Sequence, residues 1–272
     1  MIDLHTHSLY SDGTDTIEQI IEKAKALGLS QISITDHNIL TGSIAASKIA
    51  EGIDYIIGTE LTVDYNGSEV HLLSYFPNGS STDYKNVQYI INEAEAYKRV
   101  ALLETIERLN DMGIDININE LKEFSKGIMN RVHICKVLMK HGYVNSVSEG
   151  FDKYVGDHCP AYVPRKTISI NTAIEAVHND GGIAIVAHPY EYVENFDIDE
   201  FFTEVIDKID GIECYHPSAN EENIKHLLDI ANKHNKLITG GSDYHGTNKT
   251  HNDLNIMQVD DKYQIKKIIN NS

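Results

Sequence analysis

The chain has 272 residues, of which 41% are hydrophobic, and its 23 lysines and arginines against 41 acidic residues give a formal net charge of −18 at pH 7. This length is enough to bury a full core, either as one α/β barrel or as two smaller domains. The acidic balance disfavours non-specific binding to long nucleic acids, whose affinity comes largely from phosphate neutralisation by Lys and Arg, and the lack of a long apolar run or a signal-peptide pattern predicts a cytoplasmic protein without a membrane segment.

The first 80 residues predict alternating helices and strands. Apolar residues at helical spacing over 17–27 predict an amphipathic helix, and short apolar runs predict strands at 31–35 and 55–57. Asn66-Gly67 is a strong hairpin turn signal between two further strands, which places His71 on a strand. This alternation of strands and helices is typical of a β/α domain.

The pattern becomes helical between residues 81 and 165. Helices are predicted up to Asp111 and over 130–141, with no convincing strand. The β/α rhythm then resumes, with strands predicted at 183–187, 211–214 and 237–239. We therefore predict a β/α domain formed by residues 1–80 and 166–272, interrupted by an inserted helical subdomain.

Charge is distributed unevenly along the chain. Residues 81–166 hold 12 basic and 12 acidic residues, so the rest of the chain, with 11 basic and 29 acidic residues, carries the entire net charge. The neutral stretch also holds all four arginines, Arg99, Arg108, Arg131 and Arg165. Because a guanidinium grips phosphate in a bidentate way, this stretch is predicted to help to hold an anionic substrate.

Histidines and carboxylates gather at the ends of the predicted strands. His5 and His7 share one face of the opening strand, because successive strand side chains point to opposite faces. Further candidates follow at Asp12, Asp36, His37, Glu60, His71, His188, Asp243 and His245. These ligand types suit Zn, Mn or Fe, and β/α barrels keep their active sites beyond the carboxyl ends of the strands. The three cysteines form no C-x-x-C pair, which argues against a disulfide framework or a thiolate zinc site.

Six ordered motifs run over nearly the whole chain. They are DLHTHS at Asp3 to Ser8, SDG at Ser11 to Gly13, TDHN at Thr35 to Asn38, GTE at Gly58 to Glu60, VAHP at Val186 to Pro189 and GGSDYHG at Gly240 to Gly246. On these motifs the sequence resembles the polymerase and histidinol phosphatase (PHP) family of metal-dependent phosphoesterases. The resemblance implies a distorted (β/α)7 barrel with a trinuclear metal centre at its C-terminal face. The helical insertion is similar to that of stand-alone members that act on nucleotides and short oligonucleotides.

The resemblance also implies which residues bind the metals. One ion would be held by His5, His7, Glu60 and Asp243, a second by Glu60, His71 and His188, and a third by Asp12, His37 and His245. Glu60 would bridge two ions and so be central to catalysis. Imidazoles fix such ions in place, while a few carboxylates hold them together without fully neutralising them. We expect two or three divalent transition-metal ions, which would be manganese, zinc or iron.

The resemblance places a phosphate-binding pair in the insertion. Arg131 and His133 match the position where relatives carry an Arg-Pro-His sequence that grips the substrate phosphate. Val132 replaces the proline here, which leaves the direction of Arg131 open. Arg165, which follows Pro164 at the end of the insertion, is the alternative cation.

Two further residues are assigned roles at the centre. Asp36 is expected to orient a ligand imidazole through its second nitrogen. His216 follows a strand end, and many relatives have a histidine where this chain has Ala219. His216 is therefore expected to contact the phosphate or to protonate the leaving group, with a structural role as the alternative.

The predicted function is hydrolysis of phosphate esters of nucleotides by a metal-bridged hydroxide, with nucleoside 3′,5′-bisphosphates or short 5′-phosphorylated oligonucleotides as substrates. The alternatives are a histidinol-phosphate phosphatase, a 5′→3′ exonuclease and a non-catalytic metal-binding module. Retention of all nine ligands favours an enzyme over the module, and the net charge disfavours long nucleic acid substrates. No obligate protein partner is expected.

Overall fold

A computed structural model of the chain describes residues 1–80, 82–124, 129–164, 166–192, 196–249 and 251–265. The fold consists of two compact units. One is formed by Met1–Ile91 with Ile168–Ser272, and the other by Asn92–Thr167. We call them the β/α unit and the helical unit. The domain borders at residues 80 and 166 stay a prediction.

The strands of the β/α unit form two sheets. The first sheet is fully parallel and consists of β1 (Ile2–Asp3), β2 (Gln31–Ile32) and β3 (Asp54–Tyr55). The second has the order β4 (Ile57–Tyr65), β5 (Ser68–Phe76), β6 (Ile183–Val186), β7 (Gly211–Tyr215) and β8 (Leu237–Gly240). Strand β5 is antiparallel to both of its neighbours, whereas β6, β7 and β8 are parallel. The predicted mixed α/β class with parallel strands is confirmed.

The predicted hairpin joins β4 to β5. Asn66 and Gly67 have φ angles of 51° and 87°, the left-handed values that a two-residue hairpin turn of this kind requires. His71 lies on β5 opposite Thr62, as the turn signal predicts.

Two isolated parallel bridges connect the first sheet to the second. Thr6, beyond β1, pairs with Tyr244, and His37, beyond β2, pairs with Glu60 on β4. Around these bridges the His7 N–H donates to the Tyr244 carbonyl at 2.7 Å. The bridges therefore bring candidate site residues from four separate chain segments side by side.

The helices, in chain order, are α1 (Ile17–Ala26), α2 (Thr41–Ser47), α3 (Lys85–Asp111), α4 (Ile118–Leu121), α5 (Arg131–Lys140), α6 (Val147–Gly150), α7 (Ile170–Asn179), α8 (Ile198–Val205) and α9 (Glu221–Lys233). Helix α1 begins at a capping box between Thr16 and Gln19 and buries its apolar face. Helix α8, of eight residues, was not predicted. Within the ranges described, none of the helices combines the length and apolar character needed to cross a bilayer.

The helical unit has a core of its own. Leu109 on α3, Leu121 on α4 and Leu138 on α5 are fully buried in one apolar cluster. Helix α5 spans almost the predicted range, with Asn130 as N-cap and Gly142 at a φ of 78° just beyond its end. Within the described residues this unit contains no strand, as predicted.

Asp180, at the end of α7, holds the first turn of α3. Its buried carboxylate accepts hydrogen bonds from the Thr82 hydroxyl, the Asn86 side chain at 2.7 Å and the Val87 backbone N–H at 2.8 Å. It therefore acts as a remote N-cap for a helix that begins more than 90 residues earlier in the chain.

We expect Asp180→Asn to lower the free energy of unfolding at pH 7 by about 1–3 kcal/mol, because an amide nitrogen would face backbone donors. Burial raises the pKa of Asp180, but the bonds from Thr82, Val87 and Asn86 outweigh it and leave the pKa below the ordinary 3.8. The carboxylate's contribution is therefore present above pH 3.8 and is lost as the pH falls through the lower folded-state pKa. Urea unfolding should show that the difference in free energy of unfolding between wild type and Asp180→Asn is smaller near pH 3 than at pH 7. Asp207→Asn, on an exposed carboxylate, is the control.

Candidate metal centre

The nine residues predicted as metal ligands lie in one network of contacts within the β/α unit. We describe them as three groups that share members: one around His5, His7 and Asp243, one around His71 and His188, and one around Asp12 and His245. In the first, His5 Nε2 and His7 Nε2 lie 3.1 Å apart, and each is 3.2 Å from Glu60 Oε2. Asp243 Oδ1 completes this group at 3.5 Å from His5 and 3.3 Å from His7. All four side chains are buried.

The second group surrounds the other oxygen of Glu60. Oε1 lies 2.7 Å from His71 Nδ1 and 2.8 Å from His188 Nε2, and these two nitrogens are 3.3 Å apart. His37 Nδ1 approaches Glu60 Oε2 at 3.1 Å. Glu60 thus contacts five imidazoles, with its two oxygens facing different groups.

The third group lies at the more exposed side. Asp12 Oδ1 is 3.2 Å from His245 Nε2 and 3.8 Å from His7 Nδ1, and Asp12 Oδ2 is 3.9 Å from His37 Nε2. The Asp12 side chain is 57% exposed, so this group is the most open to solvent.

These residues fit bound metal ions. Ligand atoms held about 2.0–2.1 Å from one tetrahedral ion lie roughly 3.3 Å apart, close to the separations in the first group. Within the described residues, buried ring nitrogens of His7, His37 and His188 and the Glu60 Oε2 atom make no hydrogen bond. Burying polar atoms costs free energy unless they interact with a partner, and a bound cation would be such a partner.

The electrostatics of the centre keep its carboxylates ionised. Burial would raise the pKa of Glu60, but the imidazoles of His37, His5 and His71 outweigh it and hold the pKa well below its usual range. The pKa of Asp243 is lowered in the same way, mainly by His5. Burial is the main reason that the pKa of His37 falls to about 4. Burial also lowers the pKa of His7 and His71, but the carboxylates around them outweigh it and raise these pKa values to about 9 and about 10, so metal binding at these imidazoles would release protons.

Two candidate ligands hold unusual backbone conformations. His188 and Asp243 have φ angles of 25° and 51°, in the left-handed region that non-glycine residues seldom adopt. Backbone strain of this kind concentrates at functional sites, where the surroundings fix a side chain's direction.

Two buried carboxylates at the centre were missed by the sequence analysis. Glu213, on β7, lies with both oxygens within 3.2 Å of His5 Nδ1, and one oxygen also accepts the His188 N–H at 2.9 Å. Asp3, on β1, accepts the Ser242 N–H at 2.9 Å. Both carboxylates are buried. The available signal was an acidic residue inside an otherwise apolar strand, where a charge must be paired.

The role predicted for Asp36 stays a prediction, and the hydrogen bonds of its carboxylate go to a neighbouring loop. The carboxylate accepts hydrogen bonds from the Ser8 N–H at 2.7 Å, the Ser8 hydroxyl at 2.6 Å and the Ser11 hydroxyl at 2.7 Å. Three donors from one loop occupy both oxygens, because the loop carrying His7 and Asp12 folds over Asp36. Asp36 therefore fixes that loop.

His216 lies at the edge of the first group. Its Nδ1 bonds the Ser218 hydroxyl at 2.8 Å, and its Nε2 is 3.5 Å from Asp243 Oδ2. The side chain is buried, and within the described residues Nε2 makes no hydrogen bond. One nitrogen is thus held structurally while the other stays available, so the predicted role stays open.

Arg131 is engaged inside the helical unit. Its guanidinium donates to the Val155 carbonyl at 2.9 Å and to Asp157 at 3.2 Å, and it lies over the rings of Phe151 and Tyr162. These contacts hold the adjoining segment in place. A role in phosphate binding stays a prediction for Arg131.

The other two predicted phosphate-binding residues are described in part. His133 Nδ1 accepts the Asn130 N–H at 3.1 Å and completes the cap of α5, so one of its nitrogens is used structurally. Arg165 lies outside the described residues. Both roles stay predictions.

Comparisons with known proteins identify relatives of the chain. The sequence profile of the PHP domain family matches residues 3–239. A 5′-3′ exoribonuclease of Haemophilus influenzae is 30% identical over 70% of this chain and 69% of its own length. A phosphoribosyl 1,2-cyclic phosphate 1,2-diphosphodiesterase of Eggerthella lenta is 26% identical, covering 90% and 94%. A 3′,5′-nucleoside bisphosphate phosphatase of Chromobacterium violaceum is 25% identical, covering 90% and 87%.

A solved structure is similar over almost all of the chain. It is a crystal structure from Bifidobacterium adolescentis, assigned as a metal-dependent phosphoesterase. Its TM-score is 0.76 at 28% identity, with 98% of this chain and 95% of that chain covered.

Proposed function

Because the chain belongs to the PHP domain family, we propose that it hydrolyses phosphate esters of nucleotides, with nucleoside 3′,5′-bisphosphates or short 5′-phosphorylated oligonucleotides as substrates. The relatives act on phosphate monoesters or diesters, and the chain is accordingly a metal-dependent phosphoric ester hydrolase. The nucleotide substrate is supported by the names of the bisphosphate phosphatase and the exoribonuclease.

The observation that carries the proposal is the position of Glu60. A buried carboxylate with five imidazoles around its two oxygens suits two cations that share one bridging ligand. We propose that His5, His7, Glu60 and Asp243 hold one ion, that Glu60, His71 and His188 hold a second, and that Asp12, His37 and His245 hold a third. Manganese, zinc and iron all suit this donor set.

The chain's own residues prepare the site for phosphoryl chemistry. When bound, divalent ions would lower the pKa of a water and stabilise charge building on the phosphoryl oxygens. Glu213 orients His5 through Nδ1 and leaves Nε2 directed at Glu60 and Asp243. The Nε2 of His216 makes no hydrogen bond within the described residues, which supports either of its two predicted roles, contact with the phosphate or donation of a proton to the leaving alkoxide.

We further propose that the strands of the β/α unit form the distorted (β/α)7 barrel. The two bridges between the sheets, at Thr6 with Tyr244 and at His37 with Glu60, support a closed arrangement. A cytoplasmic location and the lack of an obligate protein partner stay predictions from the sequence.

The test combines metal analysis with a substrate screen. Protein purified without chelator should contain two or three ions of manganese, zinc or iron per chain, and phosphate release should be fastest from nucleoside 3′,5′-bisphosphates or very short 5′-phosphorylated oligonucleotides. Less than one metal equivalent together with no activation by added metal would refute the centre. If histidinol phosphate is hydrolysed faster than the nucleotide substrates, the protein is a histidinol-phosphate phosphatase instead.

A 5′→3′ exonuclease is the second candidate, favoured by the Haemophilus influenzae relative. The charge of −18 opposes it for long substrates, because a strand would cross negative surface. Catalytic efficiency should therefore fall as 5′-phosphorylated oligonucleotides lengthen. The fall should be steeper at low salt, because repulsion beyond about 10 Å is screened at 0.1 M. Efficiency that rises with length would favour the exonuclease.

A further inference from the structure

Lys249 places a cation directly on a proposed metal ligand. Its ammonium donates a hydrogen bond to Asp243 Oδ2. The other oxygen of that carboxylate, Oδ1, faces His5 and His7 at 3.5 and 3.3 Å. Asp243 therefore has one oxygen directed at the proposed metal position and one directed at Lys249, with His216 Nε2 at 3.5 Å from the latter oxygen.

The backbone before Lys249 is fixed against the loop that carries Asp12. The Thr247 N–H donates to Thr14 Oγ1 at 2.9 Å, and the Asn248 side chain donates to the Asp12 carbonyl at 2.7 Å. Gly246, at a φ of 64°, allows this approach, because a Cβ there would lie 2.0 Å from Thr14 Oγ1. The lysine is thus held at the centre by both its backbone and its side chain.

The Lys249 ammonium keeps capacity for a ligand. An ammonium has three donors, and within the described residues its one hydrogen-bond acceptor is Asp243. The side chain is 40% exposed, so a ligand can reach it. The nearby Nε2 of His216 is buried and, in the same described ranges, makes no hydrogen bond.

Lys249 also supplies positive charge in a unit that lacks arginine. The β/α unit contains no arginine in its sequence, since all four arginines lie between residues 92 and 167. Arg131, the predicted phosphate ligand, is already bonded to Val155 and Asp157. Hydrogen bonds from a cationic donor to a phosphate dianion are stronger than those from neutral donors, and a lysine on a ligand carboxylate supplies such a donor.

We propose that Lys249, with His216 Nε2 beside it, binds a phosphate oxygen of the nucleotide substrate next to Asp243. This assignment rests on the proposed function. One N–H of the ammonium stays on Asp243, which fixes its position, and the other two bind the phosphate. Lys249 is therefore a substrate-positioning residue and not a metal ligand.

The experiment compares K249Q and K249R with wild type, using K208Q as the control on an exposed lysine of the same unit. Inorganic phosphate is titrated calorimetrically into manganese-loaded protein, and hydrolysis of adenosine 3′,5′-bisphosphate is measured in parallel. In K249Q the phosphate Kd and the KM should each rise about 10- to 100-fold, with a smaller fall in kcat. K249R should recover most of the binding, K208Q should match wild type, and bound manganese should be unchanged in all variants.

A K249Q protein with reduced manganese but an unchanged phosphate Kd would overturn the proposal, because Lys249 would then only balance the charge of Asp243. The proposal would also be overturned if wild type hydrolyses the substrate and K249Q has the same kinetics and the same phosphate Kd. The proposed function would then remain in place. Weakened phosphate binding in K249Q, in a protein whose wild type hydrolyses none of the esters in the screen, would support the site and reject the function.

Discussion

Replacing Glu60 by glutamine is expected to remove at least about one metal ion per chain and to lower catalytic efficiency by roughly 10³-fold or more. The carboxylate is buried, and its two oxygens contact imidazoles of separate ligand groups. A glutamine keeps the size of the side chain but loses the charge and directs an amide N–H₂ at one group. Both proposed ions should therefore be affected by one substitution.

The matched comparison for Glu60→Gln is His245→Ala. His245 contacts Asp12 in the third group and is not among the residues around Glu60. Its loss should cost less metal and less activity, about 10- to 100-fold. Elemental analysis and steady-state kinetics on both proteins measure the difference, and circular dichroism verifies their folding. Equal losses of metal in the two variants would contradict a bridging role for Glu60.

Glu213→Gln is expected to weaken metal binding about 10- to 100-fold although Glu213 is not a proposed ligand. Burial raises the pKa of Glu213, but the His5 imidazole outweighs it and leaves the pKa lowered, so the group is a carboxylate at neutral pH. It fixes the His5 ring through Nδ1 and accepts the His188 N–H. A glutamine carries no charge and replaces one of the two acceptor oxygens by an amide NH₂, so the charge-assisted contact that fixes the His5 ring is weakened.

Glu69→Gln is the control for this prediction. The Glu69 carboxylate also lies near a proposed ligand, at 3.7 Å from His71 Nε2, but its side chain is 53% exposed. Solvent screens such a pair, so metal affinity should stay close to that of wild type. Competition against a chromogenic chelator gives both affinities. Wild-type affinity in Glu213→Gln would show that Glu213 is dispensable for orienting His5.

The sequence by itself determined the local structure and the candidate ligands. Asn66-Gly67 specified a hairpin, because its left-handed conformation depends on two adjacent residues. Helix α5 followed from apolar spacing between a capping residue and Gly142. The motifs around His5, Glu60 and Asp243 are short and contiguous, so a resemblance could identify them without any knowledge of the fold.

Only the tertiary structure decided which partners support those ligands. His5 and Glu213 are 208 residues apart in the chain, and Ser242 bonds Asp3 across 239 residues. No local pattern encodes such pairs, because β-strand pairing and loop closure bring them together only in the folded chain. Asp36 shows the same limit: its neighbour in sequence is His37, but packing turns its carboxylate to the loop around Ser8. Residue identity thus specified the chemistry available, and long-range packing specified which atoms meet.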